Sequence, residues 1–112
     1  YALHMDADRA RVLLAAERAR VEQALAALQD TGEASGEQEP GERDSEGLYQ
    51  KELDMGLAGD MREQLAAVER AEARLAGGTY GLSLDSGELI PDERLEAIPT
   101  AERTVAEQEA LA

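Results

Sequence analysis

The sequence predicts a mainly α fold, a long antiparallel helical hairpin closed at one end by a small globular cap. Three observations carry that expectation. Ala, Glu, Leu and Arg dominate the 112 residues, a composition that favours long helices and coiled coils over sandwiches and barrels. Two long segments bear apolar residues at helical spacing and are separated by one acidic stretch rich in Gly. After Gly77-Gly78 the pattern shifts to short extended pieces, turns and prolines, which predict a cap holding a short β-hairpin and a C-terminal helix.

The opening Tyr1-Ala2-Leu3-His4-Met5 reads as an expression scar ahead of an initiator Met5, so residues 1–5 are set aside together with the only histidine. From Asp6 to about Gln29 there is neither Pro nor Gly. Leu14, Val21, Leu25 and Leu28 recur at sevens, fours and threes and form one stripe. Asp6 and Asp8 suit the positive end of the helix dipole. Arg9, Glu17, Arg20 and Glu22 read as a solvated face, while Arg18 falls on the seam side, where its stem packs and its head stays wet.

Residues 30–44 contain three glycines, one proline and many acids. At about fifteen residues this connection is longer than most helix–helix loops, so it is either a solvated linker or a functional loop. The second helix begins near Asp44 or Ser45, with Ser45 as its N-cap. It runs to about Ala76 along a seam of Leu53, Leu57, Met61, Leu65, Val68 and Leu75. Gly56 and Gly59 weaken it, each by about 1 kcal/mol against Ala. Gly77-Gly78 ends it with the left-handed conformation that helix C-termini use.

Two striped helices joined by one loop hide their stripes by folding on each other. Residues 6–76 therefore form a hairpin with a tip at about 30–44, and at about 1.5 Å per residue its arms reach roughly 35–45 Å. Residues 77–112 form the cap. Tyr80–Leu84 and Glu88–Ile90 are short extended pieces around Asp85-Ser86-Gly87. Pro91 opens a helical turn through Ala97, Pro99 breaks it, and Thr100 caps a final helix from Ala101 to Leu111. Tyr80, Leu82, Leu84, Leu89, Ile90, Leu95, Ile98 and Val105 are the candidate core of the cap, packed on Leu75 and helix one.

A net charge of −14 argues against a nucleic-acid surface, which needs clustered Lys and Arg, and against an anionic membrane. A basic protein surface or channel is the natural counterpart. Ten of the eleven basic residues are Arg, and Lys51 is the exception. With no cysteine, disulfides and thiolate metal sites are excluded. No apolar run approaches a membrane span of about 18 residues, and the cytoplasm is the expected compartment. Paired acids such as Glu42 and Asp44 lie beside no nucleophile and in no recognisable pocket motif, so an enzyme is not expected.

Gly78-Thr79-Tyr80-Gly81, then Ser83-x-x-Ser86-Gly87, then Ile90-Pro91-x-x-Arg94-Leu95-x-Ala97-x-Pro99-x-Ala101 resembles the end of the DksA/TraR family, in which the serine positions are zinc-binding cysteines. The helix from Asp54 onward fits that family's second coiled-coil helix without a gap. The resemblance implies a coiled-coil hairpin with a small zinc-finger-like cap. It also implies a bacterial regulator that binds RNA polymerase rather than DNA, entering the secondary channel with its hairpin tip while the cap grips the rim.

Carried over by position, the four zinc-ligand sites fall on Ser83, Ser86, Thr104 and Glu107. Hydroxyls are poor zinc ligands, so a degenerate, metal-free finger is expected, its hydroxyls bonded to one another or to backbone. The family's Asp-x-x-Asp-x-Ala tip motif falls on Pro40, Arg43 and Ser45, so none of it is kept, although Glu39, Glu42 and Asp44 lie beside it. Those three acids are the candidate channel residues. Tyr80, Gly81, Ile90, Pro91, Arg94, Leu95 and Pro99 are the candidate cap framework and rim contact. No cofactor is expected, ppGpp entering only as a co-regulator at the polymerase, and a monomer suffices because the hairpin buries its own stripe. The alternative is a protein-interaction module of the same ancestry that no longer acts on transcription.

Overall fold

The computed structural model describes residues 5–35 and 45–111, and of residues 29–35 and 45–47 the backbone alone. Among the described residues four helices follow one another: α1 (Ala7–Ser35), α2 (Ser45–Gly77), α3 (Asp92–Ala97) and α4 (Val105–Leu111). No helix among the described residues is long and apolar enough to cross a membrane. Contacts divide the chain into two units, Tyr1–Arg18 with Ala67–Ala112, and Ala19–Ala66. The long helices contribute to both.

In the first unit α1 starts where the Asp6 carbonyl accepts the Ala10 N–H at 3.0 Å. Its inner face carries Ala10 and Leu14, both fully buried. They share a core with Met5, Ala71, Tyr80, Ile90, Leu95 and Ala101, and Leu13 and Leu75 pack at its margin. Met5, expected as the initiator, belongs to that core. Met5 is only 6% exposed.

The last part of α2 runs antiparallel to α1 here. The Arg18 guanidinium grips Glu72, Nη2 to Oε1 at 2.6 Å and Nε to Oε2 at 3.2 Å. Gly78, at φ 83°, ends the helix in a Schellman motif, the Thr79 N–H reaching the Arg74 carbonyl and the Gly78 N–H the Leu75 carbonyl.

The segment after Gly78 does not form the β-hairpin expected from Tyr80–Leu84 and Glu88–Ile90. Among the described residues there is one antiparallel bridge, Leu82 with Leu89. It is flanked by Ile90 N–H to the Gly81 carbonyl at 2.7 Å and Ser83 N–H to the Glu88 carbonyl at 2.8 Å. The ladder stops because the Ser83 carbonyl, which would take the Glu88 N–H, accepts the Gly87 N–H at 3.0 Å, and the Glu88 N–H turns to Ser86 Oγ at 3.2 Å. Pro91 then starts α3, its carbonyl accepting from Arg94 and Leu95. Leu95 is fully buried.

The final helix differs from expectation as well. It begins at Val105, not Ala101, and Thr104 rather than Thr100 caps it. Half of the expected cap core is also displaced to the surface: Leu84, Leu89, Ile98 and Val105 are exposed, because the turns that carry them are held by hydrogen bonds instead of burial.

In the second unit α1 continues to Ser35, past the expected end near Gln29, so the first residues assigned to the 30–44 connection are helical. Val21 is fully buried, and Leu25, Leu28, Met61 and Leu65 are half-buried. Leu53 and Leu57, expected in the seam, are exposed. Arg20, exposed as expected, donates from Nη2 to Gln64 Oε1 at 2.8 Å.

Candidate functional site

Two parts of the chain are expected to carry function. The tip acids Glu39, Glu42 and Asp44 lie outside the described residues. The cap lies within them, and there the four positions matched to zinc ligands come together.

Thr104 and Glu107 cap the start of α4 reciprocally. The Glu107 N–H donates to Thr104 Oγ1 at 3.2 Å, and the Thr104 N–H donates to Glu107 Oε1 at 2.9 Å. The threonine thus precedes the helix by one residue and the glutamate stands at its third, the spacing of a capping box. The same Oε1 accepts the Ser83 hydroxyl at 2.6 Å. Ser83 is buried, and its Oγ receives the backbone N–H groups of Asp85 and Ser86 at 3.1 and 3.3 Å. The Ser86 hydroxyl accepts the Glu88 N–H at 3.2 Å. With Ser83, Ser86 and the Thr104 backbone all stabilising its charge, the Glu107 carboxyl is held down at about 2.

This donor set does not fit zinc. It offers three hydroxyls and one carboxylate, with no thiolate or imidazole, and the carboxylate oxygen nearest the serine already has two donors. No cluster of three or more His, Cys, Asp or Glu able to hold a metal occurs among the described residues. The hydroxyls bond to backbone N–H groups rather than to one another, and the Ser83 hydroxyl donates to Glu107.

The framework positions sort by burial. Tyr80, Gly81, Ile90 and Leu95 are buried and give the cap its form. The Tyr80 hydroxyl donates to the Pro99 carbonyl at 2.7 Å, and burial pushes its phenol up to about 12. Gly81, at φ 84°, makes the backbone reversal from which the bridge starts. Arg94 sends Nε to the Arg103 carbonyl at 2.9 Å. Pro91 is exposed, and Arg94 and Pro99 are half-buried, so these three are the framework positions with surface to offer a partner.

Sequence reasoning missed a second cluster. Glu102 Oε2 accepts Arg74 Nη1 and Arg70 Nε, each at 3.0 Å. Burial alone raises the Glu102 carboxyl, but the two guanidiniums outweigh it and hold it below the usual range. Arg74 and Glu102 are 12% and 17% exposed, an ion pair made largely out of water. Arg103 pairs with Asp85 at 2.9 Å. Arg9, exposed as expected, grips Glu96 of α3 through Nε at 2.8 Å and Nη2 at 2.6 Å. An Arg in the last turn of α2, favourable beside the helix dipole, is the one available signal for Arg74. Its partner lies 28 residues away.

The whole arrangement matches a known one. The solved structure of transcription factor DksA2 from Pseudomonas aeruginosa superposes with a TM-score of 0.83, covering 94% of this chain and 81% of that one at 22% sequence identity. The chain has the DksA fold. The resemblance noted from the Tyr-Gly to Pro-x-Ala string is thereby matched in three dimensions. No family model matches the chain. Among curated proteins it is 46% identical over 68 residues to the uncharacterized protein YteA of Bacillus subtilis. It is 49% identical over 47 residues to general stress protein 16O of the same organism. The matches cover 61% and 42% of this chain, but only 28% and 29% of those relatives. Within the DksA fold, then, Ser83 and Thr104 converge on one carboxylate, that of Glu107.

Proposed function

We propose that the protein is a bacterial transcription regulator that binds RNA polymerase, is cytoplasmic and monomeric, and acts without binding DNA. Its α1 and α2 form the coiled-coil hairpin whose tip enters the secondary channel, and Pro91, Arg94 and Pro99 meet the channel rim. It is not an enzyme, and it keeps its cap without zinc. The observation that carries this reading is the DksA fold, shared with a transcription factor over 94% of the chain. Fold alone does not fix function. The net charge of −14 adds support, since it repels DNA and favours a basic channel. Glu39, Glu42 and Asp44 supply the tip carboxylates.

The test is a pull-down with core RNA polymerase at low salt, repeated with Glu39→Gln/Glu42→Gln/Asp44→Asn. Both proteins are expected to bind, while the wild type alone changes the lifetime of promoter complexes. Absence of any association overturns the reading. Association with no effect on promoter complexes supports the second reading, an interaction module of the same ancestry. That alternative is favoured by Pro40, Arg43 and Ser45 standing where the resembling family carries its tip motif.

A further inference from the structure

We infer that α4 is a separately releasable element of the cap, hinged at Thr104 and latched by the Glu107 carboxylate to Ser83. The inference deepens the zinc-free reading of the cap and rests on it. Helices in small domains are usually held by an apolar face, but α4 buries no residue. Val105 and Leu111, its large apolar side chains, are 50% and 61% exposed. Burial therefore contributes little to its attachment.

The backbone just before α4 is held firmly. The Glu102 carbonyl accepts the Leu84 N–H, its side chain is held by Arg70 and Arg74, and the Arg103 carbonyl accepts Arg94 Nε. These clamps end at Arg103. Beyond it, α4 is joined back to the body through Glu107 Oε1, which accepts Ser83 Oγ at 2.6 Å. The neighbouring Ser86 of the same turn also stabilises this carboxylate, while the bonds to the Thr104 N–H and from the Glu107 N–H to Thr104 Oγ1 lie within the first turn and its cap.

One oxygen atom thus serves two purposes. It starts the helix by capping Thr104 and docks it by accepting from Ser83. Thiolates around a metal would fix both ends of this junction with bonds that water does not replace. A hydroxyl–carboxylate contact exchanges with water, so α4 can undock while the Leu14, Tyr80, Ile90 and Leu95 core stays folded. The released helix would uncover Ser83 and the turn around it without opening the core.

The test is NMR on the ¹⁵N/¹³C-labelled full chain, comparing wild type, Glu107→Ala and Glu107→Gln. Alanine removes the shared acceptor, whereas glutamine keeps a carbonyl oxygen able to accept from Thr104 and Ser83. In wild type and Glu107→Gln, residues 105–111 should show helical Cα shifts. In Glu107→Ala those shifts should fall to random-coil values and the heteronuclear NOE should drop, while the Tyr80, Ile90 and Leu95 signals stay in place. If Glu107→Ala moves the core signals together with α4, the cap is one cooperative unit and the inference fails. It fails equally if α4 keeps its shifts in Glu107→Ala, or lacks helical shifts in wild type. A separate zinc titration distinguishes the underlying reading: stoichiometric zinc at these positions overturns the metal-free cap.

Discussion

The two units of the chain are held by different kinds of contact. The unit of Tyr1–Arg18 and Ala67–Ala112 is tied across long sequence separations: Arg9 to Glu96, Arg74 to Glu102, Tyr80 to Pro99 and Ser83 to Glu107. These contacts surround a continuous buried cluster. The unit of Ala19–Ala66 has Val21 fully buried, yet Leu48, Tyr49, Leu53, Met55 and Leu57 are all exposed on α2. Its ties include the Arg20–Gln64 bond and Gln50–Asp54 within one helix. Stability therefore has a different origin in each. Substitutions in the first unit should act through lost packing and stranded charge, and those in the exposed stretch of α2 in the second through helix propensity.

The largest effect is expected from Leu95→Ala, which removes a fully buried side chain from among Met5, Leu14, Tyr80 and Ile90. Transfer and cavity terms together cost about 4 kcal/mol, read as a lowered urea midpoint. An alanine substitution at exposed Leu53 should cost far less; equal losses at both sites would erase the contrast between the units.

Next comes Arg74→Ala. It leaves Glu102 buried with Arg70 as its remaining partner and should cost about 3 kcal/mol. Nε and Nη2 of Arg74 are buried with no hydrogen-bond partner among the described residues, so the guanidinium itself is imperfectly compensated. The double substitution Arg74→Met/Glu102→Leu should therefore recover most of the loss. If it proves worse than either single change, the pair contributes more than its desolvation costs, and the cluster is a net stabiliser.

The same contrast explains how much of the molecule is legible in its sequence. The α1 and α2 helices are legible because their signals are local: long proline-free runs, apolar spacing and the Gly77-Gly78 stop. The left-handed Gly78 and the helical turn after Pro91 are legible for the same reason. The β-hairpin is not, because Gly87 and Ser86, inside the turn itself, take the Ser83 carbonyl and the Glu88 N–H that would extend its ladder. The start of α4 is misplaced by the proline rule at Pro99, although Thr104 and Glu107 have capping-box spacing. Matching those two residues to metal ligands hides their role as a cap. Periodicity cannot distinguish a side chain over the core from one on a turn or helix start held by hydrogen bonds, so it points Ile98 and Val105 inward. The convergence of Ser83, Ser86, Thr104 and Glu107 is reachable through the family resemblance alone, since no local rule joins residues in a turn to a helix start about twenty positions away.

The smallest effects are expected at three glycines, which have equal free space yet should respond with opposite sign. A methyl group added at Gly56, Gly59 or Gly78 meets nothing within 4 Å. Gly56 and Gly59 lie inside α2 with ordinary helical backbone, so alanine should stabilise the helix by up to about 1 kcal/mol at each. Gly78 has φ 83°, where a side chain costs about 1–2 kcal/mol, so Gly78→Ala should destabilise by that amount. Melting curves of the three single variants decide the matter. A gain at 56 and 59 with a loss at 78 means that propensity governs the exposed stretch of α2 while a fixed turn governs its end. No gain at 56 or 59 would mean that this part of α2 is not helical enough for propensity to count, and the second unit would have to be looser than its helix suggests.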